Sequence, residues 1–409
     1  MNTPPTSGRE KFTRFFVRPA FPACFTSPPV IMRIMCRNVW RAGWPGCLNG
    51  RCRPFRNDFM RYLTRILLLG LLLGIVTGCR TTFPRAGTAL PRQGDEIVVA
   101  GQLFHTGTRV VLWMDPGGYD AYRVERRFGP LDQADWKTSS ATNKNLQTPN
   151  RYGTRRVGLT PAQREQVRGG GWDLPLLQKV VDQFVLHYDV CGTSRTCFRV
   201  LQDDRGLSVH FMLDLDGTIY QTLDLKERAW HATIANDRSI GVEIANIGAY
   251  PVGKPNPLAD WYRHNPDGTT DITLPERFGD GGILTPNFHG HPARPEPVVG
   301  NIQGRNLEQY DFTPQQYEAL KHLIAALCRV FPKMRCQYPV DANGQLIPHT
   351  LTNAQWKSFH GVLGHYHIQT NKEDPGPAFN WQEVIGGAEK ILGESNHRRT
   401  TRAGAAFAR

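Results

Sequence analysis

The chain has 409 residues, 40 % of them hydrophobic and 21 % charged, with 49 Lys and Arg against 36 Asp and Glu. The formal charge of +13 would suit a nucleic-acid partner, but residues 1–78 hold 12 basic and 2 acidic residues, which leaves the rest near +3. With no strong basic field over that remainder, nucleic acid is excluded as a partner.

Residues 1–59 carry no sustained helical or strand period and mix Arg, Pro, Phe and Cys. They read as a leader that is neither a domain nor an ordinary linker. Met60 opens a second beginning, where translation is expected to start. Arg61 and Arg65 make a basic n-region, and Ile66 to Val76 is apolar, broken only by glycine. This is a secretory signal in form, too short to cross a bilayer comfortably. It ends in Val76-Thr77-Gly78-Cys79, which resembles the bacterial lipobox, whose cysteine is lipidated and becomes the new N-terminus. Residues 60–79 are therefore expected to be a lipoprotein signal with Cys79 as lipidation site; the other reading is a short membrane anchor. Arg80 rather than Asp follows, which favours the outer membrane, facing the periplasm, by the usual sorting rule of such lipoproteins.

Residues 80–172 open with a Thr-, Pro-, Arg- and Gly-rich tether to about Gly94. Short apolar runs at Glu96–Ala100 and Arg109–Met114, the second closed by Asp115-Pro-Gly-Gly118, predict a small β-rich appendage. Thr160-Pro161 fits a capped helix start that ends at Gly169-Gly170-Gly171. The main domain is expected over 173–390. Gln183–Tyr188 is an apolar run of strand length with His187 near its end. Leu207–Leu213, Thr218–Leu223 and Ser239–Ala245 read as further strands, the first two joined by the turn Asp214–Gly217. Residues 250–310 form an insertion rich in Pro, Gly and His, read as a groove-lining loop. Thr313-Pro314 opens a second helix, with Tyr317, Leu320, Ile324, Leu327 and Phe331 on its core face. Residues 391–409 are expected to be a disordered tail, and no internal repeat is visible.

Four cysteines remain for an exported part: Cys191, Cys197, Cys328 and Cys336. An oxidising compartment allows two disulfides, and sequence neighbours suggest Cys191–Cys197 first and Cys328–Cys336 second. No CxxC pair marks a zinc ribbon.

The stretch Gly364–Trp381 sets His365 nine residues before Asp374, with Lys372 between them and Pro375-Gly376-Pro377 after. His and carboxylate are ordinary zinc ligands, and a catalytic zinc needs three protein ligands and one open position. Taken alone, His187 fits a satisfied core histidine as well as a ligand. His367, two residues beyond His365, competes with it for the metal. His210 and His231 suit structural or substrate contacts, while His289 and His291 suit a solvated loop. Glu243 reads either as a strand-end charge or as a functional carboxylate.

These pieces together resemble the zinc-dependent N-acetylmuramoyl-L-alanine amidases of type 2, relatives of the peptidoglycan recognition proteins. The resemblance covers residues of about 180–385. It rests on Leu186-His187-Tyr188, Val209-His210-Phe211 before Asp216-Gly217-Thr218, Trp230-His231-Ala232, Ser239-Ile-Gly-Val-Glu243, and Gly364-His365 with Lys372-Glu-Asp-Pro-Gly-Pro377. It implies an α/β (α+β) fold, a mixed twisted sheet flanked by helices. It also implies Zn2+ on His187, His365 and Asp374, with Glu243 and Lys372 as catalytic residues and His231 touching substrate. Val209 stands where phage lysozyme-type members keep a tyrosine, so the chain follows the glutamate branch. The His-to-Asp segment is one residue shorter than in the cytoplasmic members, which bears on the placing of Lys372. Cys191–Cys197 is similar to the short disulfide of the recognition proteins.

The residue types suit hydrolysis of a muramoyl–alanine amide. Zinc polarises the carbonyl and lowers the pKa of bound water to about 7. A carboxylate that is not a ligand can carry the water's proton, and an ammonium can hold the oxyanion. The resemblance implies a lipid-anchored hydrolase of peptidoglycan or muropeptides. The alternative is a recognition module that binds muropeptide without cutting.

Overall fold

The computed structural model describes residues 85–168 and 170–407, with side chains as far as Glu394. The leader 1–59, the signal 60–79 and Cys79 lie outside the described residues. From Ala89 onward the chain forms one compact unit.

Three short strands come first: β1 (Glu96–Val99), β2 (Gln102–His105) and β3 (Val110–Leu112). Helix α1 (Trp136–Thr142) and β4 (Tyr152–Thr154) follow, then α2 (Pro161–Arg168) and α3 (Leu174–Val180). Next are β5 (Gln183–Tyr188), α4 (Ser194–Phe198), a π-helical turn (Arg199–Arg205), β6 (Phe211–Leu213), β7 (Ile219–Gln221), β8 (Glu227–Ala229) and β9 (Ser239–Ile244). Residues 250–310 hold β10 (Tyr250–Pro251), α5 (Leu258–Trp261), β11 (Tyr262–His264), β12 (Thr270–Ile272), β13 (Val298–Ile302) and β14 (Arg305–Gln309). The chain closes with α6 (Pro314–Val330), α7 (Asn353–Ser358), β15 (Gly361–Gly364) and α8 (Trp381–Phe407).

The central sheet has six strands in the order β15-β5-β9-β6-β7-β3. β15, β5, β9 and β6 run parallel, while β7 is antiparallel to β6 and parallel to β3. β5 is buried along almost its whole length, as a central parallel strand must be when both faces are covered, which is why it reads as a continuous apolar run. On one face Phe184, Leu186, Phe211, Leu213, Ile240, Val242 and Ile244 pack against Tyr317, Leu320, Ile324 and Leu327 of α6 and against α8. On the other face Met212 joins Phe198, Leu201 and Tyr220. Helix α6 starts as the sequence predicts, with a full capping box between Thr313 and Gln316 and Pro314 in its first turn.

Three expectations change. The appendage is part of the main body: Val110 and Leu112 of β3 are buried at the edge of the central sheet, and β4 pairs with β8. The insertion is ordered as two small antiparallel sheets, β11-β12 and β10-β14-β13. Strands of two to five residues span too few periods to show in the sequence. The segment expected to be a tail continues α8 as far as Phe407. Each added residue extends a formed helix by one backbone hydrogen bond, and no proline interrupts it. Among the described residues no helix is long and apolar enough to cross a membrane.

Candidate active site

The pleat of the central strands decides what reaches the site. Phe184 and Leu186 face the α6 side of the sheet, so His187 faces away from it; Val242 and Ile244 do likewise, which turns Glu243 to the same face as His187. Register sets His187 beside Glu243 and Leu186 beside Gly364, so His365 enters next to His187. Three parallel strands thus present their carboxyl ends together, where open α/β sheets carry their sites. The loop to Asp374 then folds back over β15. A Cβ on Gly364 would lie 2.7 Å from Pro375 Cδ and 3.2 Å from the Asp374 carbonyl oxygen, so only glycine admits that approach.

Three donor atoms converge. His187 Nδ1 lies 2.8 Å from Asp374 Oδ2 and 3.0 Å from His365 Nδ1, and His365 Nδ1 lies 3.0 Å from Asp374 Oδ2. All three residues are buried. The far nitrogen of each ring is also engaged. His365 Nε2 donates to Gln369 Oε1 at 2.6 Å. His187 Nε2 meets His231 Nδ1 at 3.0 Å, and His231 Nε2 meets Ser239 Oγ at 3.2 Å. With protons on the outer nitrogens, both Nδ1 lone pairs point at the carboxylate. Such a cluster of lone pairs repels itself unless a cation or proton sits among them. Two imidazole nitrogens and one carboxylate oxygen form a zinc-type donor set, and outer partners of this kind fix ring orientation at metal sites. A second group, Asp95, Glu96 and His105, also lies close together. There the Glu96 carboxylate is taken up by Arg92 and by the Gln93 and Gly94 N–H groups.

Electrostatics follow from burial. Desolvation pushes His187 down to about 4, aided by His365 and opposed by Asp374. Burial alone would raise Asp374, but the two imidazoles hold it well below the usual carboxylate range. Burial, then the Asp374 and Asp189 carboxylates, push Glu243 well above its ordinary value, with Lys372 opposing.

Glu243 and Lys372 line the same pocket as the three donors, a cavity of about 300 Å³ that also takes in Trp230, Arg205 and Arg305. His231 lines it too, although both its ring nitrogens are engaged by His187 and Ser239. His367 is removed from it: Nδ1 accepts from the Gly364 N–H at 2.9 Å and Nε2 donates to the Ile347 carbonyl at 2.8 Å. His210 is buried, and its Nδ1 accepts from the Gly241 N–H. His289 and His291 belong to no metal-type cluster among the described residues. Cys191 and Cys197 line the pocket as free thiols in hydrogen-bond contact; the disulfide expected between them is not formed in this structure.

Sequence reasoning missed the residues that hold the site's backbone. Gln309 of β14 donates to the Pro375 carbonyl at 3.1 Å and accepts from the Ala378 N–H at 3.0 Å. Gln303 Nε2 donates to the Tyr366 and Gln369 carbonyls, each at 2.9 Å. Both come from the insertion, which offered no period and no motif. The only sequence signal was the presence of uncharged amides in a segment otherwise rich in Pro and Gly.

A family model described as N-acetylmuramoyl-L-alanine amidase matches residues 177–377. Among solved structures, a selenomethionine derivative of AmpD is 17 % identical, with 58 % of this chain and 89 % of that one covered and a TM-score of 0.27. The amidase AmiD from E. coli, solved with the substrate anhydro-N-acetylmuramic acid-L-Ala-D-gamma-Glu-L-Lys, is 18 % identical over 51 % of this chain and 57 % of that one, TM-score 0.27. The endolysin LysCS from Clostridium intestinale URNW is 15 % identical over 51 % and 84 %, TM-score 0.26. No curated protein matches the chain.

Proposed function

We propose that the chain, whose residues 177–377 match the family model described as N-acetylmuramoyl-L-alanine amidase, cleaves the muramoyl–L-alanine amide of peptidoglycan or muropeptides with one zinc ion held by His187, His365 and Asp374. The observation that carries the metal reading is the convergence of three donors within 3.0 Å, with both rings turned by partners on their far side. Bound there, zinc would polarise the amide carbonyl and bring the pKa of a water to about 7.

The chain's own groups do the rest. Glu243 shares the pocket face with His187 but is not among the converging donors, so its carboxylate is free to take a proton from the attacking water and return it to the alanine nitrogen. Its raised proton affinity suits a group that must both take up and return a proton. The Lys372 ammonium, on the same wall, balances charge developing on the carbonyl oxygen. Trp230 and His231 line the same cavity and are offered as its contacts to the sugar–peptide junction. Water is consumed, the C–N bond breaks, and a lactyl carboxylate and a free L-alanine amine result.

Digestion of purified peptidoglycan tests this. Mass spectrometry should find stem peptides with a free N-terminal alanine, metal analysis about one zinc per chain, and chelation a loss of activity that zinc restores. Full activity in excess chelator sinks the metal reading. Muropeptide binding with zinc in place and no peptide released would establish the recognition module instead.

The same proposal places the chain in the cell envelope, anchored by lipid on Cys79 and facing the periplasm from the outer membrane. Val76-Thr77-Gly78-Cys79 and the following Arg80 support it. Cys79→Ala should abolish palmitate labelling and release the protein from membranes; unchanged labelling would refute it.

A further inference from the structure

Arg155 lies outside the matched segment 177–377, just after β4, and is completely buried. A buried guanidinium needs acceptors for its donors, and the carbonyls that this one reaches all belong to a single loop. Its Nε and Nη2 donate to the Leu225 carbonyl at 3.3 and 3.1 Å. Its Nη1 donates to the Asn236 and Asp237 carbonyls at 3.0 and 3.1 Å. One planar group thus ties both ends of the segment from Leu225 to Asp237, which carries His231. Nη2 also lies 3.0 Å from His210 Nε2.

The clamp continues to the metal-type donors. Asn236 Oδ1 accepts from the His231 N–H at 3.2 Å and the Ala232 N–H at 2.7 Å, which fixes the backbone from which the His231 ring projects. The ring is wedged over β9: a Cβ on Gly241 would lie 2.5 Å from His231 Nδ1. That nitrogen is the partner of His187 Nε2. The path runs from Arg155 through Asn236 and His231 to His187, and its end decides which His187 nitrogen faces Asp374.

We infer that Arg155 is a positioning residue for metal binding: it clamps the His231 loop so that His231 holds the His187 ring with Nδ1 toward His365 and Asp374. This rests on the proposed metal site. Lysine keeps the charge but has no planar fork to span two carbonyl positions.

Arg151 provides the internal control. It is equally buried and comes from the same segment, but its side chain holds the Gln202, Val124 and Pro149 carbonyls, none in the His231 loop. Metal dissociation constants should be measured by chelator competition for wild type, Arg155→Lys and Arg151→Lys, with melting temperatures for each. Arg155→Lys should weaken metal binding by roughly 10–100-fold, the usual effect of losing an outer partner, and should shift the visible spectrum of the cobalt-loaded protein. Arg151→Lys should alter melting without either change. Equal metal affinities in the two variants would overturn the inference. If Arg155→Lys is not recovered folded, Asn236→Ala carries the test: it keeps the carbonyl that Arg155 holds but removes the acceptor for the His231 N–H. A wild-type dissociation constant in Asn236→Ala would overturn the inference as well. A wild type that takes up no metal fails the zinc proposal itself, and the inference with it, an outcome distinct from metal bound equally by all variants.

Discussion

Two imidazoles and one carboxylate meet at the same 3 Å triangle, and their roles are set by what touches the far side of each ring. Glu243 stands beside them in register but outside the triangle, so its loss should separate chemistry from metal binding. Glu243→Gln should leave zinc content and muropeptide binding near wild type while kcat falls by roughly 10²–10⁴, the usual worth of acid–base help. Asp374→Ala should lose metal and rate together. Wild-type rates in Glu243→Gln would reject its assigned role. A second carboxylate has a role in stability. Asp214 is fully buried, with Oδ1 accepting from the Leu215 and Ser194 N–H groups and Oδ2 unpartnered. Burial pushes it up to about 7. The folded state therefore holds this proton more tightly than the unfolded chain. Its contribution is fully present below the unfolded value of 3.8 and is lost as pH rises toward 7, a change on the order of a few kcal/mol. Asp214→Asn should flatten the fall of melting temperature between about pH 4 and pH 7. An unchanged slope would mean that other groups set it.

Among the elements, the β13–β14 hairpin links the insertion to the site. Its two glutamines satisfy backbone groups on both sides of the donor loop. Gln309→Ala would strand the Pro375 carbonyl and the Ala378 N–H, at about 1–3 kcal/mol for each buried group left unmade. Urea unfolding should register that loss, and zinc affinity should drop because Asp374 immediately precedes the freed peptide. Loss of stability with unaltered zinc affinity would show that the hairpin does not position the ligand. In the central sheet, β5 and β9 bring His187 and Glu243 to one face through pleat and register, and His231 then fixes the His187 ring.

For the whole molecule, residues before the matched segment complete the fold. Ile97, Val98, Val99, Val110 and Leu112 are buried in the main core, and Gln221 holds the Val98 backbone through both its amide atoms. Five buried aliphatic side chains at roughly 1.5–3 kcal/mol each match the whole stability of a typical domain, about 5–15 kcal/mol. A fragment starting at residue 173 should therefore show no cooperative melting, whereas one starting at residue 89 should melt in a single sharp transition. A cooperative, zinc-binding 173–409 fragment would disprove this.

The chain alone determined the strands and helices whose pattern is long enough to read. Gln183–Tyr188 is an unbroken apolar run because both sheet faces are covered, and Thr313-Pro314-Gln315-Gln316 is a capping box written in four residues. It also carried His187, Glu243, His365, Lys372 and Asp374 as candidates, since the types and order of these groups are local facts. What it left open was decided by tertiary contact. His365 and His367 are two residues apart, and nothing local separates them; backbone groups of Gly364 and Ile347 occupy both nitrogens of His367 and leave His365 to meet His187. Arg155, Gln303 and Gln309 had no motif because a side chain that holds distant carbonyls needs only the right reach, and the partner's position in sequence imposes no spacing. The β3 edge strand was misread as an appendage for the same reason: pairing between Val110–Leu112 and Ile219–Gln221 is a non-local hydrogen-bond ladder, and three residues carry too short a pattern to announce their partner.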